Sequence, residues 1–128
     1  EKMEFSTLAM VTNGILTEAM KLGFGRRRPN GNCCKSFPSG HTSNSFTIAT
    51  IVNELYGKQM GIAAYCLAVL VAASRINDNK HYLSDVLFGA GLGTAVGRGF
   101  ALAYQNRSNN ISIMPAPQLS FKISIPLN

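Results

Sequence analysis

Charge is scarce in this chain: Asp, Glu, Lys and Arg make up 14% of its 128 residues, against about 25% in an average soluble domain. That excludes a heavily charged surface and leaves room for membrane proximity. Cysteine is equally sparse. Cys33, Cys34 and Cys66 contain no CxxC pair of zinc spacing, and an odd number excludes full internal pairing. Reduced thiols without a special role are the expectation, and the redox compartment stays open. Only two histidines, His41 and His81, are present, with no His-rich or carboxylate-rich constellation for a metal. There is no P-loop, no dinucleotide glycine fingerprint and no GxSxG elbow, so the nucleotide-dependent and serine-hydrolase readings find no support. The uncharged apolar stretch from Met60 to Ala73 falls short of the roughly 20 residues that a spanning helix needs, so a buried core helix is expected there. The first residue is Glu1 rather than Met, as expected of a processed chain or a piece of a longer one.

The length suits one domain. Its net charge of +6, from 12 Lys and Arg against 6 Asp and Glu, implies an anionic partner: a phosphorylated substrate, an acidic lipid surface or a nucleic acid. Apolar spacing predicts a helix from about Phe5 to Lys21, ending near Gly23 and Gly25. A second is expected from Ser39-Gly40 to Gly57, a third over Met60 to Ser74 and a fourth over His81 to Tyr104. The fourth carries Gly89, Gly93 and Gly97 at intervals of four. Glycine in a helix costs about 1 kcal/mol against alanine, so a glycine face implies the close approach of a neighbouring helix. Beyond residue 105 the pattern changes. Leu119, Phe121, Ile123 and Ile125 alternate with polar residues as in a half-buried strand, with Ile111 and Ile113 as its expected partner. The expected organisation is thus a helical domain over 1–105 and a C-terminal extension with a β-hairpin over 106–128.

Three clusters carry chemistry. In the first, Lys21 is followed after six residues by Arg28-Pro29; the second is Pro38-Ser39-Gly40-His41. The third runs Ser74-Arg75, five residues, His81, three residues, Asp85. Ser39-Gly40-His41 falls at a predicted helix N-terminus, where free backbone N–H groups and the helix dipole favour an anion. Ser39 is alternatively no more than an N-cap. His81 and Asp85 are four apart on a predicted helix, so a carboxylate is placed to orient an imidazole and leave its other nitrogen free to attack. The bland alternative is a surface pair. Lys21, Arg28 and Arg75 are cations of the kind that stabilise a transferring phosphoryl group. Arg26 and Arg27 read as a solvated or lipid-facing basic cluster.

Together and in this order, the clusters resemble the pattern of the type 2 phosphatidic acid phosphatase superfamily, which also holds bacterial class A acid phosphatases and vanadium-dependent haloperoxidases. The match runs from Lys21 to Asp85, about half the chain. The resemblance implies an all-α helical bundle whose motif-bearing helices form the core. Further helices ahead of Lys21 are usual in the family, and one is visible here. It implies His81 as nucleophile on phosphorus, Asp85 as its orienting group and His41 as the acid that protonates the leaving oxygen. Lys21, Arg28, Ser39, Gly40 and Arg75 would hold the phosphate, with no metal and no cofactor. His81 should then be neutral and His41 protonated, so their pKa values should be pushed apart, giving a bell-shaped pH profile. The implied partners are a phosphorylated lipid and a membrane surface rather than a nucleic acid, with a periplasmic or membrane location and the site facing outside the cytoplasm. A soluble acid phosphatase is the alternative, and a vanadium haloperoxidase a more distant one.

Overall fold

The computed structural model of the protein describes residues 1–32 and 34–113. It is an all-α bundle of four helices: α1 (Lys2–Phe24), α2 (Gly40–Tyr56), α3 (Lys58–Asn77) and α4 (Leu83–Ile113). The expected helices are all present. Gly25 closes α1 in the left-handed conformation, its N–H bonded to the Lys21 carbonyl, a C-cap that glycine adopts without strain. Residues 25–39 form the long connection to α2. At the start of α4, Asp85 Oδ2 accepts a 2.9 Å bond from the Tyr82 N–H, so the third residue of the helix reaches back to its N-cap as in a capping box.

Two expectations fail. The helix α4 does not stop at Tyr104 but continues through the Asn-rich segment to Ile113, so no break falls at residue 105. Ile111 and Ile113 are helical and not a strand. Asparagine is only a few tenths of a kcal/mol worse in a helix than the common helix formers, and extending an existing helix avoids nucleation. The alternating stretch from Leu119 to Ile125 lies outside the described residues. The second failure is α3, which is not a buried core helix. It runs 20 residues, and only 17% of its most apolar window is buried.

Helix α2 packs against each of the other three. Its contact with α4 depends on the glycine face: a Cβ at Gly89 would stand 2.7 Å from the Ser39 carbonyl oxygen, and one at Gly97 2.8 Å from that of Thr47. A Cβ at Gly93 would collide with the Ser43 carbonyl. Spacings of four on both helices put backbone against backbone, as the sequence led us to expect. The interior is correspondingly small and polar. Asn13, Thr17, Thr42, Ser43, Thr47 and Thr50 are buried alongside Ala9, Ala49, Ala68, Ala72 and Ala101. Thr17, Thr47 and Thr50 donate to the carbonyls of Asn13, Ser43 and Phe46, one turn back, which satisfies their hydroxyls without occupying space between helices. The large apolar residues face outward: Ile15, Leu67 and Leu70 are each 65% exposed and Leu87 63%. Small polar residues inside and large apolar ones outside is the arrangement suited to lipid rather than water. Both α3 and α4 are long and apolar enough to cross a membrane.

Candidate active site

The helices alternate in direction, so one end of the bundle collects the C-termini of α1 and α3 and the N-termini of α2 and α4. All three sequence clusters fall there. The connection after α1 is stitched to the α3–α4 turn by the Asn30 N–H on the Asn79 carbonyl at 3.1 Å. The Arg75 carbonyl in turn accepts from the N–H groups of Lys80 and His81 at 3.1 and 3.3 Å. Arg28, Arg75 and His81 are thereby tied to one surface.

His81 is 5% exposed. Its Nδ1 lies 2.6 Å from the backbone carbonyl of Ser36. A carbonyl can only accept, so Nδ1 carries the proton and Nε2 of the neutral ring keeps its lone pair. This differs from the expected Asp85 contact: the Asp85 carboxylate is 3.9 Å from Nδ1. Asp85 is fully buried and acts one step removed. Its Oδ2 accepts from the Ser36 hydroxyl and its Oδ1 from Arg26 Nη1 at 2.7 Å. Asp85 therefore holds the residue whose carbonyl holds His81. Arg26 also reaches Ser84 Oγ at 2.8 Å and lies 4.3 Å over the Tyr82 ring, so it is not the free basic residue that the sequence suggested. No pattern in the sequence points to Arg26 or Ser36, because both reach the site from the irregular connection.

Ser39 is fully buried. Its hydroxyl caps α2, accepting from the Thr42 N–H at 3.5 Å and pairing with Thr42 Oγ1 at 2.9 Å. What this segment offers an anion is then the N–H groups of Gly40 and His41 in the first helical turn, which have no intrahelical partner. Gly40 also makes room for Lys21: a Cβ there would stand 3.2 Å from Lys21 Nζ. Lys21 pairs with Glu18 at 2.6 Å. Arg75 contacts Ser74 Oγ at 3.3 Å and Asp78 at 3.7 Å. Arg28 Nε is buried without a hydrogen-bond partner. A buried donor left unpaired is unfavourable by about 1–3 kcal/mol, and one on a charged guanidinium by more; an anion in the site would satisfy it. A cavity of about 300 Å3 opens beside these groups, lined by Lys21, Gly40 and His41 together with Thr17, Glu18 and Asn44.

Both histidines are shifted in the same direction. Burial lowers the pKa of His41, and the cations Arg75, Lys21, Lys80 and Arg28 lower it further. Burial also lowers that of His81, with the Ser36 carbonyl opposing and Arg28 reinforcing. Both rings face a positive field from Lys21 and Arg28, which Asp85 offsets at His81. Lys80 adds to that field at His41, although it sits in a spacer of the sequence pattern. Among the described residues no group of three or more His, Cys, Asp or Glu is placed to hold a metal. Among the described residues Cys66 is a free, exposed thiol.

A family model described as the PAP2 superfamily matches residues 5–109. Over 93 residues the chain is 42% identical to the lipid A 1-phosphatase of Porphyromonas gingivalis, a match covering 70% of this chain and 21% of that protein. It is 30% identical to lipid phosphate phosphatase 1 of Arabidopsis thaliana, covering 69% of this chain and 40% of that one. With the lipid A 4'-phosphatase of Helicobacter pylori the figures are 26%, 91% and 62%. The chain thus spans from about a fifth to three fifths of the length of these relatives. Its fold is similar to the crystal structure of Aquifex aeolicus LpxE, with a TM-score of 0.74 and 29% identity over 81% of this chain and 68% of that one.

Proposed function

Since the chain belongs to the PAP2 superfamily, we propose that it is a phosphatase acting on the phosphomonoester or pyrophosphate of a membrane lipid through a phosphohistidine on His81. The observation that carries this reading is the fixed tautomer of a buried His81 beside an unpaired buried Arg28 donor. His81 Nε2 attacks phosphorus as the P–O bond to the leaving group breaks, and His41 gives its proton to the departing oxygen. Water then attacks phosphorus, breaks the P–N bond and returns a proton to His41. Lys21, Arg28, Arg75 and the N–H groups of Gly40 and His41 hold the equatorial oxygens, with the Ser39 segment setting their position. Asp85 and Ser36 keep His81 oriented. The lowered pKa of His41 opposes its role as an acid, and the charge of a bound phosphate offsets the cations responsible.

Relatives named as phosphatases of lipid A and of lipid phosphates support a lipid substrate. The apolar exterior supports it too, and argues against the soluble alternative. The site is taken to face outside the cytoplasm, as the resemblance of the sequence implies. The crowding of Lys and Arg at the same end would by itself favour the opposite orientation, and protease accessibility in sealed vesicles decides between them.

The test is phosphate release in EDTA from phosphatidic acid, a polyprenyl pyrophosphate and a lipid A-type phosphate in detergent, alongside an aryl phosphate. Release is expected with lipids preferred, and quenched turnover should yield an acid-labile phosphoprotein that His81→Asn does not form. Full activity of His81→Asn would sink the mechanism. Fast aryl phosphate turnover without lipid preference would return the soluble reading.

A further inference from the structure

An in-line displacement puts the attacking and leaving atoms on opposite sides of phosphorus. Given the proposed roles, on which this inference rests, the leaving group points away from His81 and toward His41. The cavity of about 300 Å3 lies on that side: His41, Lys21 and Gly40 line it and His81 does not. Its remaining wall is polar in a particular way. Glu18 is ionised, because the hydrogen bond from Lys21 holds its carboxyl below the usual range, and more than half of its side chain is exposed. Asn44 accepts from Asn13 Nδ2 through its Oδ1 at 2.6 Å, which leaves its own Nδ2 to donate. Asn13 is itself fixed by the Ser43 hydroxyl at 2.7 Å, so the direction of the Asn44 amide is set from behind. A carboxylate acceptor and an oriented amide donor suit hydroxyl groups.

Beyond its bond from Lys21, the Glu18 carboxylate can only accept hydrogen bonds, and the esters of diacylglycerol have no donor to offer it. The geometry points to this cavity as a leaving-group subsite that takes a hydroxyl-bearing alcohol, such as a sugar ring or a glycerol headgroup, with Glu18 and Asn44 as its specificity determinants. The volume sits at the small end of ligand pockets, about 300–1,000 Å3, and matches one sugar-sized group rather than an acyl chain. Gly14 also lines the cavity, and a Cβ there meets nothing within 4 Å. A side chain can therefore start from residue 14 without its Cβ meeting a neighbour.

The experiment compares kcat/KM for three lipids in detergent: a glucosamine 1-phosphate saccharolipid, phosphatidylglycerol phosphate and phosphatidic acid. The chain is run as wild type, Glu18→Gln, Gly14→Leu and, as a control at another open helical glycine, Gly91→Leu. The expected result is a wild-type preference of about tenfold or more for a hydroxylated lipid over phosphatidic acid. Glu18→Gln and Gly14→Leu should bring that ratio toward one, with Gly91→Leu leaving it intact. Which hydroxylated lipid leads separates sugar from glycerol. Equal rates for all three in wild type, or equal loss on every lipid in both variants, would overturn the subsite while leaving the phosphatase reading standing. Hydrolysis of none would overturn both.

Discussion

Arg26 shows how much a single side chain outside the motif can carry. Its Nη1 is bonded to a fully buried carboxylate, and that carboxylate secures Ser36, whose carbonyl secures His81. Arg26→Ala removes one partner and leaves Asp85 buried with two remaining donors. The expected cost is about 2 kcal/mol of stability, read from thermal unfolding in detergent. A larger fractional loss in kcat than in KM should accompany it, because the nucleophile loses its orientation while the phosphate ligands stay. Unchanged kcat would mean that the network is only structural.

The residue scale also sets the pH dependence. His81 must be neutral to attack, so activity appears above its pKa; His41 must be protonated, so activity is lost above its own. Both values are lowered, which places both limbs of kcat/KM on the acid side of about 6.5, the ordinary histidine value. Bound phosphate raises His41 again, so the basic limb of kcat should lie at higher pH than that of kcat/KM. Coincident basic limbs would show that the substrate charge does not reach His41. His41→Ala should slow poor leaving groups by about 10²–10⁴-fold and good aryl leaving groups less, which initial rates on a series of aryl phosphates will show.

At the scale of the element, the contact of α2 with α4 is the feature most exposed to test. Gly93→Ala places a methyl against the Ser43 carbonyl, and overpacking of this kind costs about 1–3 kcal/mol. On the same helix Gly91 faces open space, and Gly91→Ala should stabilise by up to about 1 kcal/mol through helix propensity. Opposite signs from two alanines two residues apart, measured as shifts in unfolding midpoint, would establish that the glycine face serves packing. The glycine spacing made this contact legible in the sequence, but not which helix was the partner. The end of α4 was not legible, since Asn106, Asn109 and Asn110 carry turn signals that an established helix overrides.

At the scale of the molecule, the distribution of apolar residues decides the environment. Leu70 on α3 is 65% exposed. In water, Leu70→Asp would fall within about 0.5 kcal/mol, as for surface substitutions generally. In a bilayer it should oppose insertion by about 3 kcal/mol, so the variant should lose the resistance to carbonate extraction expected of the parent chain. The sequence hid this because Met60 to Ala73 is too short by itself. The folded helix adds the flanking turns from Lys58 and to Asn77, and packs only a narrow strip of small residues such as Gly61, Ala68 and Ala72 inward.

The four-helix class, the glycine contact and the ordered set from Lys21 to Asp85 could be read from the chain alone, because periodicity and spacing are properties of adjacent residues along it. Folding was needed to show that Asp85 reaches His81 through Ser36, that Arg26 rather than solvent completes its hydrogen bonding, and that Ser39 caps a helix. It also set Lys21 and Arg28 near both histidines, and opened a cavity with Glu18 and Asn44 beside His41. Those facts depend on where an irregular connection of residues 25–39 lies across the helix ends. No local rule specifies that path: it is set by hydrogen bonds between groups as far apart as Asn30 and Asn79, or Arg26 and Asp85.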